Sequence, residues 1–231
     1  MITGKDIEIL EFINKFYFAK SNYIFRACFP NSKSNSYCFD RIKHLVDIGL
    51  LRRLNVDNTK IITLSKRGGT FLASVGKYVK TPESFDSKIL FHNEFVANIA
   101  IFYINKGFIV DTESEISAIG MDDGFLPDFR IHNENTLYHF EIELSLKAEH
   151  RIEKKLFHVA SFNSCYGTNR EEESAVEEKL IYITNNKVVH NKIDRIANSK
   201  NLTKYVEIIR INNFKDISEK KQLQLLEVIN A

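Results

Sequence analysis

Between Leu126 and Lys147 the chain reads LPDFRIHNENTLYHFEIELSLK, two short strand-forming runs joined by a polar turn. The first run opens on Pro127-Asp128, and the second carries Glu141 and Glu143 two residues apart. Side chains alternate faces along a strand, so Glu141, Glu143, Ser145 and Lys147 share one face while Phe140, Ile142, Leu144 and Leu146 share the other. Three acids over an apolar floor point to a metal site. A strand pair of this kind also requires a larger sheet around it.

The flanking sequence supplies that sheet. FIVDTESEISAI alternates as a strand, GMDDG is a loop, and strands follow at about 126–132 and 137–146. A helix is expected from about 148 to 165, an acidic loop over 167–178, and a wholly apolar strand in LIYIT. A helix around 187–199, a strand in YVEIIRI and a helix at about 217–229 complete the order. From Lys88 to Lys106 the spacing of Leu90, Phe95, Ile99 and Phe102 gives a further helix, ended by Gly107, with Glu94 and Asn98 one turn apart on a second face. KYVKTPESFDSK, residues 77–88, reads as a linker.

The first third of the chain has a different rhythm. Thr3 and Asp6 form a weak variant of the capping box ahead of Ile9, Phe12, Ile13 and Phe16 at helical spacing. A short helix over Tyr23 to Phe29 stops at Pro30, and a third buries Cys38, Ile42 and Leu45 and stops at Gly49. LLRRLNVDNTKIITLS then gives two strands around Asp57-Asn58, and SKRGGTFLASV starts another helix. This order, with HLVDIGLLRRL followed by ITLSKRG, resembles the winged helix-turn-helix superfamily over roughly residues 3–80. The resemblance implies a recognition helix presenting Tyr37, Arg41 and His44, with Lys33 and Ser34 at its start. Arg52, Arg53, Lys60, Lys66 and Arg67 would lie on or beside the wing and meet phosphates.

Charge distribution agrees. The net charge is only +2, yet residues 1–80 hold 14 Lys or Arg against 6 Asp or Glu, and residues 81–231 hold 18 against 24. A basic module joined to an acidic one suits nucleic acid on the first and cations on the second. A winged helix used only for protein contacts is the alternative.

Composition sets further bounds. The chain is 44% hydrophobic and 27% charged, as expected of a soluble globular protein. The most apolar window, Phe95 to Ile104, is half of the roughly 20 residues a membrane span needs. The first residues, MITGKDIEIL, lack the layout of a signal peptide. Cys28, Cys38 and Cys165 have no CxxC spacing, which fits a reducing cytoplasm and small buried side chains better than disulfides or zinc.

The ordered strands, with Pro-Asp on the second and a Glu-x-acid pair on the third, resemble the PD-(D/E)XK nuclease superfamily over about residues 88–211. That resemblance implies an α/β (α+β) fold, a mixed sheet flanked by helices, divided into a winged-helix domain at 1–80 and a nuclease-like domain at 81–231. It further implies that Asp128 and Glu141 bind Mg²⁺ or Mn²⁺, with Glu94 assisting through water. Oxygen ligands and few carboxylates suit Mg²⁺. Glu113 and Glu115 are weaker candidates. The family's terminal Lys is replaced by Glu143, a second metal ligand or a base. Lys147 is four residues on, about 13 Å along a strand, and reaches the centre only if the strand ends and turns. After the motif, Arg151, Lys154, Lys155 and His158 fall on one helical strip, either a solvated face or a DNA backbone track.

HNEFVANIA, LPDFRI and FEIELSLKAEHRIEKKL together are similar to MobC-type (MOBC) plasmid mobilisation relaxases, related to the replication-relaxation family. This implies nicking of double-stranded transfer-origin DNA, with a type IV coupling protein and accessory mobilisation proteins as partners. The seven histidines are scattered, and Tyr138 and Tyr166 read as packing or phosphate contacts, so a hydrolytic carboxylate-metal mechanism fits better than a tyrosine nucleophile. The competing readings are a DNA-binding regulator with an inactive nuclease fold and a restriction or transposon-end nuclease.

Overall fold

Helix formation begins at Thr3, whose hydroxyl accepts from the Asp6 backbone while the Asp6 carboxylate accepts from the Thr3 N–H, a complete capping box. The computed structural model describes residues 1–77, 79, 87–118, 125–166, 176–212 and 219–230. Most of the expected linker, the GMDDG loop and most of the acidic loop fall outside them. The chain divides into two compact units, Met1–Gly107 with Ser117–Gly120, and Phe108–Ile116 with Met121–Ala231.

In the first unit, α1 (Gly4–Phe16) buries Ile9, Leu10, Phe12, Ile13 and Phe16. Helix α2 (Ser21–Cys28) ends before Pro30, and α3 (Ser36–Asp47) turns Cys38, Ile42 and Leu45 inward. Gly49, at φ +75°, takes the left-handed conformation that stops α3. Strands β1 (Leu51–Val56) and β2 (Thr59–Leu64) pair antiparallel across Asp57-Asn58, both with positive φ, as a two-residue hairpin turn requires. Ala19 pairs with Ile62 on the other edge of β2. Ser65 caps α4 (Lys66–Ser74), where Gly68 has no room for a side chain: a Cβ would lie 2.0 Å from the Leu50 carbonyl oxygen. Three helices, a ribbon and a helix thus follow in the expected order.

Helix α5 (Ser87–Asn105) belongs to this first unit, not to the second as the sequence reading had it. Leu90, Phe95, Val96, Ala97, Ile99, Ala100, Ile101, Phe102 and Tyr103 are all buried. A helix apolar on nearly every side must be enclosed. Leu90 packs with Phe18 and Ile61, joining α5 to the ribbon.

The second unit is built on one mixed sheet in the order β3-β4-β5-β6-β7. Strands β3 (Val110–Thr112), β4 (Phe129–Asn133) and β5 (Thr136–Ile142) are antiparallel, and β6 (Glu177–Thr184) and β7 (Val206–Arg210) continue parallel to β5. Helices α7 (Glu149–Tyr166) and α8 (Lys187–Ser199) cover one face, packing Ile152, Leu156, Val159, Val189, Ile193 and Ile196 on Leu180 and Tyr182. Helix α9 (Glu219–Asn230) closes the chain, with Leu225 and Ile229 buried. Among the described residues no helix is long and apolar enough to cross a membrane.

Two strand expectations are corrected. The run after Thr112 is not strand but α6 (Glu113–Ala118), because the Glu115 carboxylate accepts from both the Thr112 N–H and its hydroxyl at 3.0 Å, the carboxylate half of a capping box. The third expected strand ends at Ile142, not 146. The chain then turns over residues 143–148 before α7.

Candidate functional site

Strands β4 and β5 bring Asp128 and Glu141 together. Phe129 pairs with Phe140, and one step further Asp128 donates its N–H to the Phe140 carbonyl oxygen at 3.0 Å. The Asp128 Oδ2 accepts from the Ile142 N–H at 2.7 Å, which fixes the carboxylate against β5. Glu141 and Glu143 are each only 3% exposed. Glu141 lies beside Tyr182 in the parallel register of β5 and β6, and Glu143 donates its N–H to the Ile183 carbonyl oxygen.

Two lysines face these acids. Lys155 Nζ stands 2.5 Å from Glu141 Oε2, reaching down from α7 and across the Phe125 ring. Lys147 Nζ stands 2.8 Å from Glu143 Oε2. The strand ends and turns, which is the condition under which Lys147 can return, and Lys192 of α8 holds the turn by donating to the Lys147 carbonyl oxygen at 2.7 Å. Lys155, expected on an outward phosphate track, is instead an inward partner of the acids. His158 is also half-buried, against Phe125, whereas Arg151 and Lys154 remain exposed. The expected strip is split because α7 presses one of its edges onto the sheet.

Burial, reinforced by the Asp128 charge, pushes the Glu141 carboxyl up to about 7, against the pull of Lys155 and Lys147. Burial alone would lower the Lys147 ammonium, but its bond to Glu143 and the charges of Glu141 and Asp128 outweigh this and raise it. Two polar atoms remain buried without a hydrogen-bond partner at this place, Glu141 Oε1 and the Tyr182 hydroxyl. Burial and then the charges of Glu141, Glu143 and Asp128 drive the Tyr182 hydroxyl well above its ordinary range. Orphaned buried groups are costly in a folded protein and are uncommon in native structures.

The three acids do not form one ligand set. Among the described residues, no group of three or more His, Cys, Asp or Glu is gathered so as to hold a metal ion. Glu143 is drawn away by Lys147, leaving Asp128 and Glu141 as the pair. Glu141 Oε1 is an unpartnered oxygen of the type Mg²⁺ and Mn²⁺ prefer, so the pair fits such an ion. Glu94 does not join it: its Oε1 accepts from Lys20 Nζ and from the Tyr23 hydroxyl, each at 2.6 Å, within the first unit. Asn98 and Arg26 extend that network, which fastens α5 to α2. Glu115 is spent on its cap, and Glu113 heads the same short helix rather than a strand.

Further along the same sheet face, His139 Nε2 lies 3.3 Å from Glu178 Oε2, with both residues buried. Tyr138 is buried under Lys179, which supports packing rather than catalysis. The side chains of Tyr166 and Cys165 lie outside the described set. Cys28 and Cys38 are buried free thiols, as expected.

The first unit carries the basic residues. Lys33, Arg52, Arg53, Lys60, Lys66 and Arg67 are exposed. Two expected contacts on α3 are not available. Arg41 makes a two-pronged ion pair with Asp6, which is wholly buried, and His44 has its Nε2 buried without a partner. Tyr37 is 53% exposed, though its ring meets Phe29 edge-on. The outward side chains of α3 are therefore Ser36, Tyr37, Phe39, Asp40, Lys43 and Asp47. Apart from Lys33, the exposed basic residues of the expected set in this unit lie on the ribbon and at the start of α4.

Comparison with known protein families and with curated protein sequences finds no match to this chain.

Proposed function

We propose that this chain binds double-stranded DNA through its first unit and hydrolyses a phosphodiester bond in its second, as a mobilisation-type nickase with a divalent metal ion. The observation that carries this reading is the buried Glu141 Oε1, which has no hydrogen-bond partner and lies beside the Asp128 charge that helps raise its carboxyl. Asp128 and Glu141 would hold Mg²⁺ or Mn²⁺, whose chemistry when bound is to neutralise charge at phosphorus and acidify a water. Glu143 and Lys147 act as a couple, one able to accept a proton and the other to meet a phosphate oxygen. Lys155, released from full duty at Glu141 once another cation is present, is a second phosphate partner. Arg52, Arg53, Lys60, Lys66 and Arg67 would supply sequence-independent phosphate contacts, with Lys33 and Tyr37 beside them. A coupling protein of a transfer system is the partner this reading implies.

One observation favours a non-catalytic DNA-binding regulator instead: Lys147 and Lys155 already neutralise much of the acid cluster. Nicking of supercoiled plasmid carrying candidate origin DNA separates the two. Mg²⁺-dependent open circles, absent with EDTA and with Asp128→Ala while DNA binding persists, are expected. Binding without nicking under any divalent metal would leave the regulator.

A further inference from the structure

Within the first unit a cavity of about 570 Å³ opens between α3 and the β1–β2 ribbon. Its volume lies in the range of small-molecule sites. Ile42 and Ile62 form an apolar floor with Phe39 as a wall, and Arg53 and Lys60, on the same ribbon face as Ile62, are exposed at its edge, while Leu54 and Ile61 turn to the other ribbon face toward Phe18 and Leu90. Phe39 is 40% exposed, a large aromatic ring left in contact with water on a helix whose neighbouring outward residues are polar.

Three features give this apolar space a positive edge. Arg53 and Lys60 lie on neighbouring strands, three residues and one residue from the hairpin turn's flanking pair Val56–Thr59, with no acid opposite: Arg53 pairs with Ile62, and Lys60 with Asn55. Ser21, which with Asn55 completes the polar part of the lining, is the first residue of α2, whose N-cap Lys20 gives no side-chain cap. A helix start without a capping side chain favours negative charge. An uncharged apolar occupant would leave all three unanswered. A highly charged one would waste the isoleucine floor.

The geometry points to a binding site for a small apolar anion, a carboxylate or sulfonate on an aromatic or branched aliphatic body. The ring or chain lies on Ile42 and Ile62 against Phe39, and the anionic group faces Arg53 and Lys60. This site stands whether or not the second unit cuts DNA. Because it uses Arg53 and Lys60, an occupant draws on the same cations that the proposed function gives to phosphate.

Titration of the full chain with 2-naphthoate beside its neutral counterpart 2-naphthalenemethanol tests the site. Naphthoate is expected to bind one to one and at least tenfold tighter than the alcohol. Arg53→Ala with Lys60→Ala, both exposed and therefore tolerated by the fold, should bring naphthoate down to the affinity of the alcohol. Ser21→Trp, which fills the cavity, should abolish both. Equal binding of the two compounds, affinity untouched by the double variant, or no binding at millimolar concentration would overturn the assignment. So would sedimentation showing a dimer that Ser21→Trp dissolves, since a second copy would then occupy the groove.

Discussion

Lys155 Nζ meets Glu141 Oε2 at 2.5 Å, so helix α7 supplies the counter-ion for a carboxylate that strand β5 buries. Removing one partner of a buried pair leaves the other charge unanswered. Lys155→Ala is expected to cost about 3 kcal/mol at pH 8, where Glu141 is ionised, and less than about 1 kcal/mol at pH 5, where it holds a proton. Urea unfolding at the two pH values checks this. An equal loss at both would put the contribution in the packing of Lys155 over Phe125.

Glu141 itself shapes the pH dependence of stability. Its carboxyl is held up to about 7 in the folded chain against 4.5 for an unperturbed glutamate. Between these values the folded chain keeps a proton that the unfolded chain has lost. The stability from this group is therefore full below about 4.5 and declines as pH rises through about 7, by about 3 kcal/mol in all. Glu141→Gln should remove that decline, so that the unfolding free energy of the variant minus that of wild type rises by about 3 kcal/mol between pH 4.5 and 8.

Asp6 is buried, and the Arg41 guanidinium and Thr3 hydrogen bonds hold its carboxyl below the usual range, outweighing the burial that would raise it. Arg41→Ala should destabilise the chain by about 2 kcal/mol while leaving the salt dependence of DNA affinity unchanged. Lys66→Ala, at an exposed position, should reduce that salt slope by about one and leave stability alone. A reduced slope for Arg41→Ala would return Arg41 to the DNA face.

Gly68 lets α4 lie directly on the Leu50 carbonyl, and a methyl group there would sit 2.0 Å from that oxygen. The obstacle is backbone, which cannot swing aside. Gly68→Ala should cost about 3 kcal/mol or more despite alanine's better helix propensity. Thermal unfolding measures it, and a neutral result would mean that α4 can shift away from the ribbon.

The sequence carried the element order well because each signal was local. Thr3 with Asp6, Asp57-Asn58 and Gly49 act within a few residues, and all three perform as read. The miss at α6 was also local: Thr112-Glu113-Ser114-Glu115 is a capping-box sequence written in the open, hidden by an apparent alternation. What could not be read was partnership between distant elements. Arg41 looked like a free cation until Asp6, on another helix, was placed beside it, and Glu94 looked like a site acid until Lys20 and Tyr23 claimed it. Tyr182 was passed over in an apolar strand, although a hydroxyl buried in mid-sheet needs a partner and signals its surroundings. The turn that returns Lys147 depends on where β5 stops pairing, which spacing along the strand does not reveal.

The hairpin of β4 and β5 turns over Glu134-Asn135, and Asp128 and Glu141 stand at its open end, past the Phe129–Phe140 pair. A local hairpin of this kind zips in about 1–10 μs. In a folding order led by this hairpin, the two like charges meet before α7 delivers Lys155 from further along the chain. During that interval the nascent hairpin carries an uncompensated repulsion that salt or acid relieves. Docking of α7 is thus the step at which this carboxylate pair becomes tolerable, and refolding should quicken under mildly acidic conditions for a reason unrelated to the finished structure.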